Sequence, residues 1–265
     1  MKCYCIIFSL LLFTLHNVNA SIVSDNSNNY IGGSWNNGDN EGTGFKSWVI
    51  TESAESGKYI GGTGLGNSSF GLYANNLFYA AAEREFNQSL VSGQTFQMTL
   101  GYTANINGNI GFTLFNASQD LINIDFASGQ SNWRLWEGGT NLTLSAAYNP
   151  ITPLSFSFTC NGGNSYSYTF GEMSQTRTAI SDINSIIGFR VYNNGQGAGE
   201  NFGFDNIAVI PEPTTVAYLG ASCLSILGLR RIKRRKYLML KEFKSDKKTI
   251  GNLEKSPSFD FFVNI

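Results

Sequence analysis

Hydrophobic and polar positions alternate with a period of two along most of residues 21–210. The alternation is clearest in residues 154–160 and 165–170, where apolar or aromatic side chains alternate with Ser and Thr. This pattern is typical of β-strands with one buried face. The same reasoning predicts strands in further segments, namely 46–51, 70–74, 78–85, 95–102, 109–115, 121–126, 133–137, 186–192 and 201–210.

Three local details can be predicted within this pattern. Residues 161–164, Asn-Gly-Gly-Asn, predict a hairpin turn between the first two segments. Facing residues of an antiparallel pair share a side of the sheet, so Phe158 is expected opposite Tyr166 or Tyr168. In the last segment the apolar alternation changes phase, which predicts a bulge near residues 205–206. The only helix expected is about one turn at residues 182–186.

Roughly a dozen short strands separated by Gly- and Asn-rich turns favour an all-β fold. We expect a two-sheet antiparallel sandwich of the jelly-roll type, forming one ectodomain over residues 21–210. The composition agrees, because only 14% of the 265 residues are charged and 29 are Gly. With 14% aromatic residues the chain can build a core, which excludes wholesale disorder, and it is too poor in helix formers for a helical bundle.

The charge is divided unequally along the chain. Residues 21–210 carry six Lys or Arg against fourteen Asp or Glu, a net charge of −8. Residues 230–265 carry eleven basic residues against four acidic ones, a net charge of +7. An acidic body argues against nucleic acid as a partner, because phosphate binding requires a basic face.

Both ends of the chain carry targeting patterns. Residues 1–20 combine Lys2, an apolar run and small residues before the end, which predicts a secretory signal peptide cleaved after Ala20. Residues 214–229 lack charge and predict one transmembrane helix. The basic cluster at 230–236 then places the C-terminus in the cytoplasm, followed by a basic tail, 237–265, that is expected to be disordered.

The order of these parts carries a resemblance. A Pro-Glu-Pro linker, an apolar helix and an Arg-rich cluster together resemble the PEP-CTERM sorting signal of bacterial exosortase substrates. The resemblance implies that residues 211–236 are recognised by a membrane exosortase, cleaved near the prolines, and that the body reaches the cell surface or extracellular matrix. The implied recognition residues are Pro211, Glu212, Pro213, Arg230, Arg231, Arg234 and Arg235.

A second resemblance concerns the body. Residues 35–48, 70–74 and 82–86 are similar to the sandwich bodies of many PEP-CTERM proteins, which resemble the concanavalin-like jelly rolls of lectins and glucanases. The implied role is non-catalytic carbohydrate binding, with an exopolysaccharide as the partner. The alternatives are a jelly-roll glycan hydrolase and a purely structural surface protein.

Two kinds of binding site can be placed on named residues. The flat rings of Trp35, Trp48, Trp133 and Trp136 are candidates for stacking on a sugar, although tryptophans also fill cores. Trp133 and Trp136 lie three apart on a strand and therefore point to opposite faces. A candidate calcium site consists of Asn37, Asp39 and Glu41, whose alternation before Gly42 is also common in turns.

The sequence of the body contains few candidate catalytic residues. The single histidine, His16, lies in the predicted signal peptide, which excludes a Ser-His-Asp triad and a His-ligated zinc in the body. Cys160 is expected to be a core thiol. Glu83 and Glu85 share one strand face and would be the acid pair of a glycan hydrolase, or else ordinary exposed acids. We therefore expect no enzyme, and no cofactor apart from the candidate calcium.

Overall fold

The computed structural model describes residues 23–66, 68–102, 107–147, 149, 152–180, 183–195 and 201–211. All of them belong to the first of two units, Met1–Glu212 and Pro213–Ile265. The predicted signal peptide, transmembrane helix, basic cluster and tail lie outside the described residues, as do Glu212 and Pro213. In the described part of the chain, no helix is long and apolar enough to cross a membrane.

Fifteen β-strands and three short 3₁₀ turns make up the described part. The strands are β1 Val23–Asp25, β2 Val49–Glu52, β3 Ser56–Ile60, β4 Phe70–Ala74, β5 Tyr79–Glu85, β6 Thr95–Tyr102, β7 Asn109–Phe115, β8 Asp120–Ala127, β9 Asn132–Glu137, β10 Thr140–Ala147, β11 Leu154–Gly162, β12 Ser165–Phe170, β13 Met173–Thr178, β14 Gly188–Asn194 and β15 Asn201–Ile210. The 3₁₀ turns are Ser27–Asn29, Ile31–Gly33 and Ile183–Ser185.

The strands form two antiparallel sheets. The eight-stranded sheet has the order β13-β12-β11-β6-β15-β4-β3, with β1 added beside β15, and the seven-stranded sheet has the order β10-β9-β8-β7-β14-β5-β2. Consecutive strands such as β4, β5, β6 and β7 alternate between the two sheets. The predicted all-β, two-sheet antiparallel sandwich is confirmed.

Aromatic side chains dominate the core between the sheets. Phe112 of β7 and Phe156 of β11 meet across it with ring centroids 4.5 Å apart. Phe96 of β6 contacts Phe189 of β14 in the same way, at 5.2 Å. Each large ring removes apolar area from water and fills the space between the layers, so these pairs stabilise the packing of one sheet on the other.

The predicted local details are present. Phe158 lies opposite Tyr168, and Cys160 opposite Tyr166, across the 161–164 turn. In β15 the pairing with β6 shifts between Asp205 and Ala208, and Asn206 adopts a positive φ of 52°. A 3₁₀ turn at Ile183–Ser185 stands where one helical turn was expected.

The sequence pattern missed four strands, β1, β3, β10 and β13. The last three lie at sheet edges, and in β10 and β13 most residues face water, so the apolar alternation is weak. β1 has only three residues and forms by pairing with β15. The strand predicted at 46–51 is shorter at its start in the structure. It begins at Val49, and the residues up to Trp48 belong to the preceding loop.

The turn between β4 and β5 holds a leucine in an unfavourable conformation. The Phe78 N–H donates to the Asn75 carbonyl at 2.9 Å, and between them Asn76 and Leu77 have φ of 50° and 70°. Leu77 is 71% exposed, so its side chain gains little by burial. A Cβ in the left-handed region costs roughly 1–2 kcal/mol, which glycine avoids at some cost in backbone entropy.

We therefore expect Leu77→Gly to raise the free energy of unfolding by about 0.5–1 kcal/mol in urea denaturation. Leu77→Ala is the matched control, because it removes the exposed side chain but keeps the Cβ. It should leave stability nearly unchanged. Equal gains from both variants would show that the exposed side chain, rather than the backbone conformation, is unfavourable.

Candidate functional site

The outer face of the eight-stranded sheet is covered at its centre. Gly71, Gly203 and Gly101 are neighbours on β4, β15 and β6, and residues 61–66 fold over that row. A Cβ on Gly101 would lie 2.2 Å from the carbonyl oxygen of Thr63, and one on Gly203 would lie 2.6 Å from the Thr63 Cβ. The loop therefore covers the sheet because these positions have no side chains.

The outer face of the seven-stranded sheet carries a different set of side chains. Two rows of directly paired residues run across all seven strands, and we call them the polar face. From β2 to β10, the first row is Val49, Glu83, Arg190, Thr113, Asn123, Trp136 and Asn141. The second row is Thr51, Ala81, Tyr192, Gly111, Asp125, Arg134 and Thr143.

Asp125 is the centre of a hydrogen-bond network on this face. Its carboxylate accepts two hydrogen bonds from Arg134, from Nε at 2.9 Å and from Nη2 at 2.5 Å. It also accepts one from Trp136 Nε1 at 3.1 Å and one from Asn109 Nδ2 at 3.2 Å. The Arg134 guanidinium lies 5.3 Å from the centroid of the Trp136 ring. These contacts hold the half-buried indole in one orientation.

A second network lies beside the first, around Asn123. Its side-chain oxygen accepts hydrogen bonds from the Thr113 hydroxyl at 3.2 Å and the Tyr192 hydroxyl at 3.1 Å. Burial raises the pKa of Tyr192 above its usual value, so the phenol remains a donor at neutral pH. Gly111 makes room for this arrangement, since a Cβ there would lie 2.7 Å from the Tyr192 hydroxyl oxygen.

One end of the polar face forms a cleft of about 310 Å³ lined by Glu83, Glu85, Asp120 and Arg190. Arg190 Nη2 lies 2.6 Å from each carboxylate oxygen of Asp120, and its Nη1 lies 3.6 Å from Glu83. Burial raises the pKa of Glu83; Arg190 opposes the rise, and the charges of Glu85 and Asp120 add to it. Glu85 is paired with Lys46. The cleft thus contains a carboxyl group with a raised pKa beside a second acid.

The structure places three of the four candidate tryptophans in the core, the alternative that the sequence left open. Trp35, Trp48 and Trp133 are at most 3% exposed and pack in the core, so they have no ring face available to a ligand. Trp136 is the one predicted tryptophan on the polar face. Trp133 and Trp136 do point to opposite sides of β9, as the sequence predicted.

The candidate calcium residues have other partners. The Asn37 side-chain oxygen accepts from the Ile50 N–H at 2.8 Å, and Asp39 accepts from the Asn36 N–H at 2.6 Å. The Glu41 carbonyl accepts from Arg84 Nη2 at 2.7 Å. Among the described residues there is no group of three or more His, Cys, Asp or Glu side chains able to hold a metal ion. The Asn37 and Asp39 side chains thus bond to backbone N–H groups, as Asn and Asp side chains do in turns.

Cys160 is buried in β11, as expected for a core thiol. Burial raises its pKa to about 11. The thiolate is the reactive form of cysteine, so this side chain is a poor nucleophile at neutral pH.

A second cleft, about 690 Å³, lies elsewhere, where the end of β10 meets the turn between β12 and β13. Among the described lining residues, small neutral side chains such as Ser145 and Ala147 are common, and Glu172 is the single charged one. Phe170, the aromatic residue among its described lining residues, is buried, so the cleft lacks the accessible aromatic ring that the polar face presents, and the polar face is the better candidate site for a sugar.

Most residues of the polar face were not singled out from the sequence. Asn123 and Asp125 do alternate with Ile122 and Ile124, which indicates that they point outward. That signal gives a residue's side of the sheet but not its neighbours. The pairing of β8 with β9 brings them next to Trp136, and this information is absent from either segment alone.

No protein-family model and no curated protein matches this chain. Among solved structures, it is similar to a galectin of Caenorhabditis elegans, with a TM-score of 0.39, 10% identity, and coverage of 48% of this chain and 89% of the galectin. A carbohydrate-binding module of Bacillus subtilis gives a TM-score of 0.39 and 8% identity, with coverage of 60% of this chain and 92% of the module. An alginate lyase of Corynebacterium sp. gives a TM-score of 0.38 and 11% identity, with coverage of 49% of this chain and 67% of the lyase. At these values the likenesses assign the chain to no family and carry no argument about its ligand.

Proposed function

We propose that this chain is a non-catalytic carbohydrate-binding protein of the bacterial surface or matrix, and that the polar face is its binding site. The observation that carries the proposal is the half-buried Trp136 ring, held by Arg134 and Asp125 on the outer face of the sheet. An aromatic ring stacks on the apolar face of a sugar, while surrounding amides and hydroxyls bind its hydroxyl groups.

The position of the site on the sheet supports the proposal. Trp136, Asn123 and Thr113 lie on adjacent strands β9, β8 and β7, and each is held by backbone pairing on both sides. Their side chains are also fixed by hydrogen bonds to one another or to Asp125. A surface ordered before binding loses little entropy when the ligand arrives, which favours affinity.

The test is binding to a glycan array, followed by affinity electrophoresis in gels containing the glycans that bind. We expect Trp136→Ala to weaken binding at least about tenfold while changing the free energy of unfolding by less than about 1 kcal/mol. Tyr73→Ala is the matched control, since Tyr73 is a half-buried aromatic residue on the other sheet. Unchanged binding by Trp136→Ala would contradict the proposed site.

A glycan hydrolase is the second candidate, favoured by the raised pKa of Glu83. Glu83 and Glu85 are two residues apart on β5 and lie on the same face of the sheet, so their carboxyl groups can adopt the spacing of about 5–9.5 Å that acid pairs of glycosidases use. Release of reducing ends that is lost in Glu83→Gln would support this function. Binding without product release supports the non-catalytic one.

We also propose that the sandwich is exported by the 1–20 leader and sorted by an exosortase through residues 211–236. Two features of the described chain support this. The last strand ends at Ile210, so the linker would begin directly at Pro211, and Val23 pairs with Val209 at the same end of the sheet. Cleavage after Pro211 would therefore leave intact all fifteen strands of the described residues.

Fractionation of a tagged protein tests this sorting. With an epitope inserted at the exposed Gly129 turn, we expect a shortened body at the cell surface or in the medium when the exosortase is present. Without the exosortase, a longer form should remain in the membrane fraction. The same size and compartment in both strains would contradict exosortase sorting.

A further inference from the structure

The charged groups of the polar face bind one another. Arg134 forms a two-point ion pair with Asp125, and Arg190 is held by both oxygens of Asp120 at 2.6 Å with Glu83 on its other side. A uronate or sulfate group would have to compete with a carboxylate that is already in place for either arginine. The arginines of this face are therefore poor anion sites.

The acidic groups are equally occupied. Asp125 accepts four hydrogen bonds, two on each oxygen, which fills its acceptor positions. Glu83 and Asp120 share Arg190, and Glu85 is paired with Lys46. An amino sugar would therefore find no unpaired carboxylate among these residues of the face.

The groups that remain available are neutral. The Asn123 oxygen accepts two hydrogen bonds, whereas its amide nitrogen has no hydrogen-bond partner among the described residues. The Asn141 and Thr143 side chains are exposed on β10 beside Trp136 and Arg134. Amide and hydroxyl groups next to an aromatic ring match the hydroxyl groups and apolar ring faces of an uncharged sugar.

Long-range electrostatics add to the exclusion of anionic glycans. The predicted ectodomain, residues 21–210, carries a net charge of −8. A polyuronate or sulfated polymer approaching it is repelled, most strongly at low ionic strength, and the paired arginines supply no local compensation.

We propose that the polar face selects an uncharged glycan and excludes polyuronates, sulfated polymers and amino glycans. This inference rests on the carbohydrate-binding function proposed above and adds the class of ligand. It follows from the mutual neutralisation of Arg134 with Asp125 and of Arg190 with Asp120 and Glu83.

Affinity electrophoresis of the full chain tests the inference, with laminarin and galactomannan as neutral polymers, alginate and polygalacturonate as acidic ones, and chitosan as the cationic one. Runs at about 20 mM and about 300 mM NaCl separate specific binding from charge-driven binding. We expect a neutral polymer to retard the protein equally at both salt concentrations, and Trp136→Ala to remove the retardation. Alginate and polygalacturonate should cause none, and any chitosan binding should vanish at high salt.

A charge-unmasking variant gives an independent measurement. Asp125→Asn removes the partner of Arg134, so we expect binding to alginate at low salt to appear and to rise at least about fivefold over the parent. Glu172→Gln is the matched control, because it removes the same charge at an exposed turn of the other sheet. It should not bind alginate.

The outcomes distinguish a failure of this inference from a failure of the proposed carbohydrate-binding function. Retardation of the parent by alginate, polygalacturonate or chitosan at high salt that depends on Trp136 would overturn the choice of ligand class and leave the binding function standing. Absence of binding to every polymer and on the wider array would overturn the binding function and, with it, this inference.

Discussion

Arg84→Met is expected to lower the free energy of unfolding by about 3–5 kcal/mol, because it leaves a buried carboxylate without its counter-ion. The side chains of Arg84 and Asp25 are both fully buried, and they form an ion pair between β5 and β1. Urea denaturation monitored by tryptophan fluorescence measures the loss.

The surroundings of Arg84 explain why its loss cannot be absorbed. Its Nε donates to the Lys46 carbonyl at 2.7 Å, and its Nη2 donates to the Asn40 side chain at 2.9 Å and the Glu41 carbonyl at 2.7 Å. Its guanidinium also lies 4.9 Å from the centroid of the Trp48 ring. Removing the guanidinium leaves the buried Asp25 carboxylate without its counter-ion and also takes the donor from three part-buried acceptors.

The acid side of the pair adds a pH signature. Burial raises the pKa of Asp25, while the Asn29 hydrogen bond, the Arg84 charge and the Tyr30 hydrogen bond oppose the rise. Without Arg84 the folded-state pKa must rise further. A raised carboxyl pKa means that stability is lost as pH increases through it. The destabilisation by Arg84→Met should therefore be largest at neutral pH and shrink as the pH falls and Asp25 becomes protonated.

Lys58→Met is the control for this experiment. Lys58 and Glu52 form a pair with an N···O distance of 3.0 Å near the surface, with 18% and 37% of their side chains exposed. Such pairs contribute roughly 0–1 kcal/mol. Similar losses from Lys58→Met and Arg84→Met, or a loss from Arg84→Met that is independent of pH, would contradict the role assigned to the buried pair.

Trp133→Ala is expected to cost about 3–5 kcal/mol, because the indole is fully buried and its removal leaves a large cavity. Trp133 lies on β9 of the seven-stranded sheet and contacts rings of the other sheet, with centroids 5.2 Å from Phe170 and 5.6 Å from Tyr102. The substitution therefore weakens the contact between the two layers. Thermal and urea denaturation give the loss.

Trp136→Ala on the same strand is the comparison for Trp133→Ala. The two changes delete the same atoms on opposite faces, so they should give opposite results: a large stability loss for Trp133, and a loss of glycan binding for Trp136. If Trp133→Ala does not fold, Trp133→Phe, which keeps most of the ring volume, should show a smaller loss of stability with binding intact. Reversed effects would overturn the assignment of the two faces.

Local patterns in the sequence predicted the strands well where one face is buried. The pairing of Phe158 with Tyr168 followed from alternation on either side of a short turn. The bulge after Asp205 followed from a change of phase within one strand. These features depend on residues close together in the chain, and the edge strands β10 and β13 were missed because solvent exposure weakens the same signal.

The candidate site could be predicted only in part. Trp136 was among the candidate residues, but its neighbours on the face, Asn123 and Asn141, lie on other strands and follow only from the pairing of β9 with β8 and β10. Arg84 stands between two acids in sequence, yet it lies on the inner side of β5 because β1 brings Asp25 to it from the start of the body. Such contacts join residues that are distant in the chain.

The sequence by itself determined the class of this protein: period-two alternation and Gly/Asn turns encode short antiparallel strands, and the aromatic content supplies a core for two sheets. It also established that the body is acidic, because a net charge can be counted from the sequence without a structure. The tertiary structure alone decided which outer face is open, because a glycine row admits a covering loop on one sheet and paired polar side chains occupy the other. It also decided which charges neutralise one another, since ion pairs depend on side-chain distances that strand register sets across the sheet.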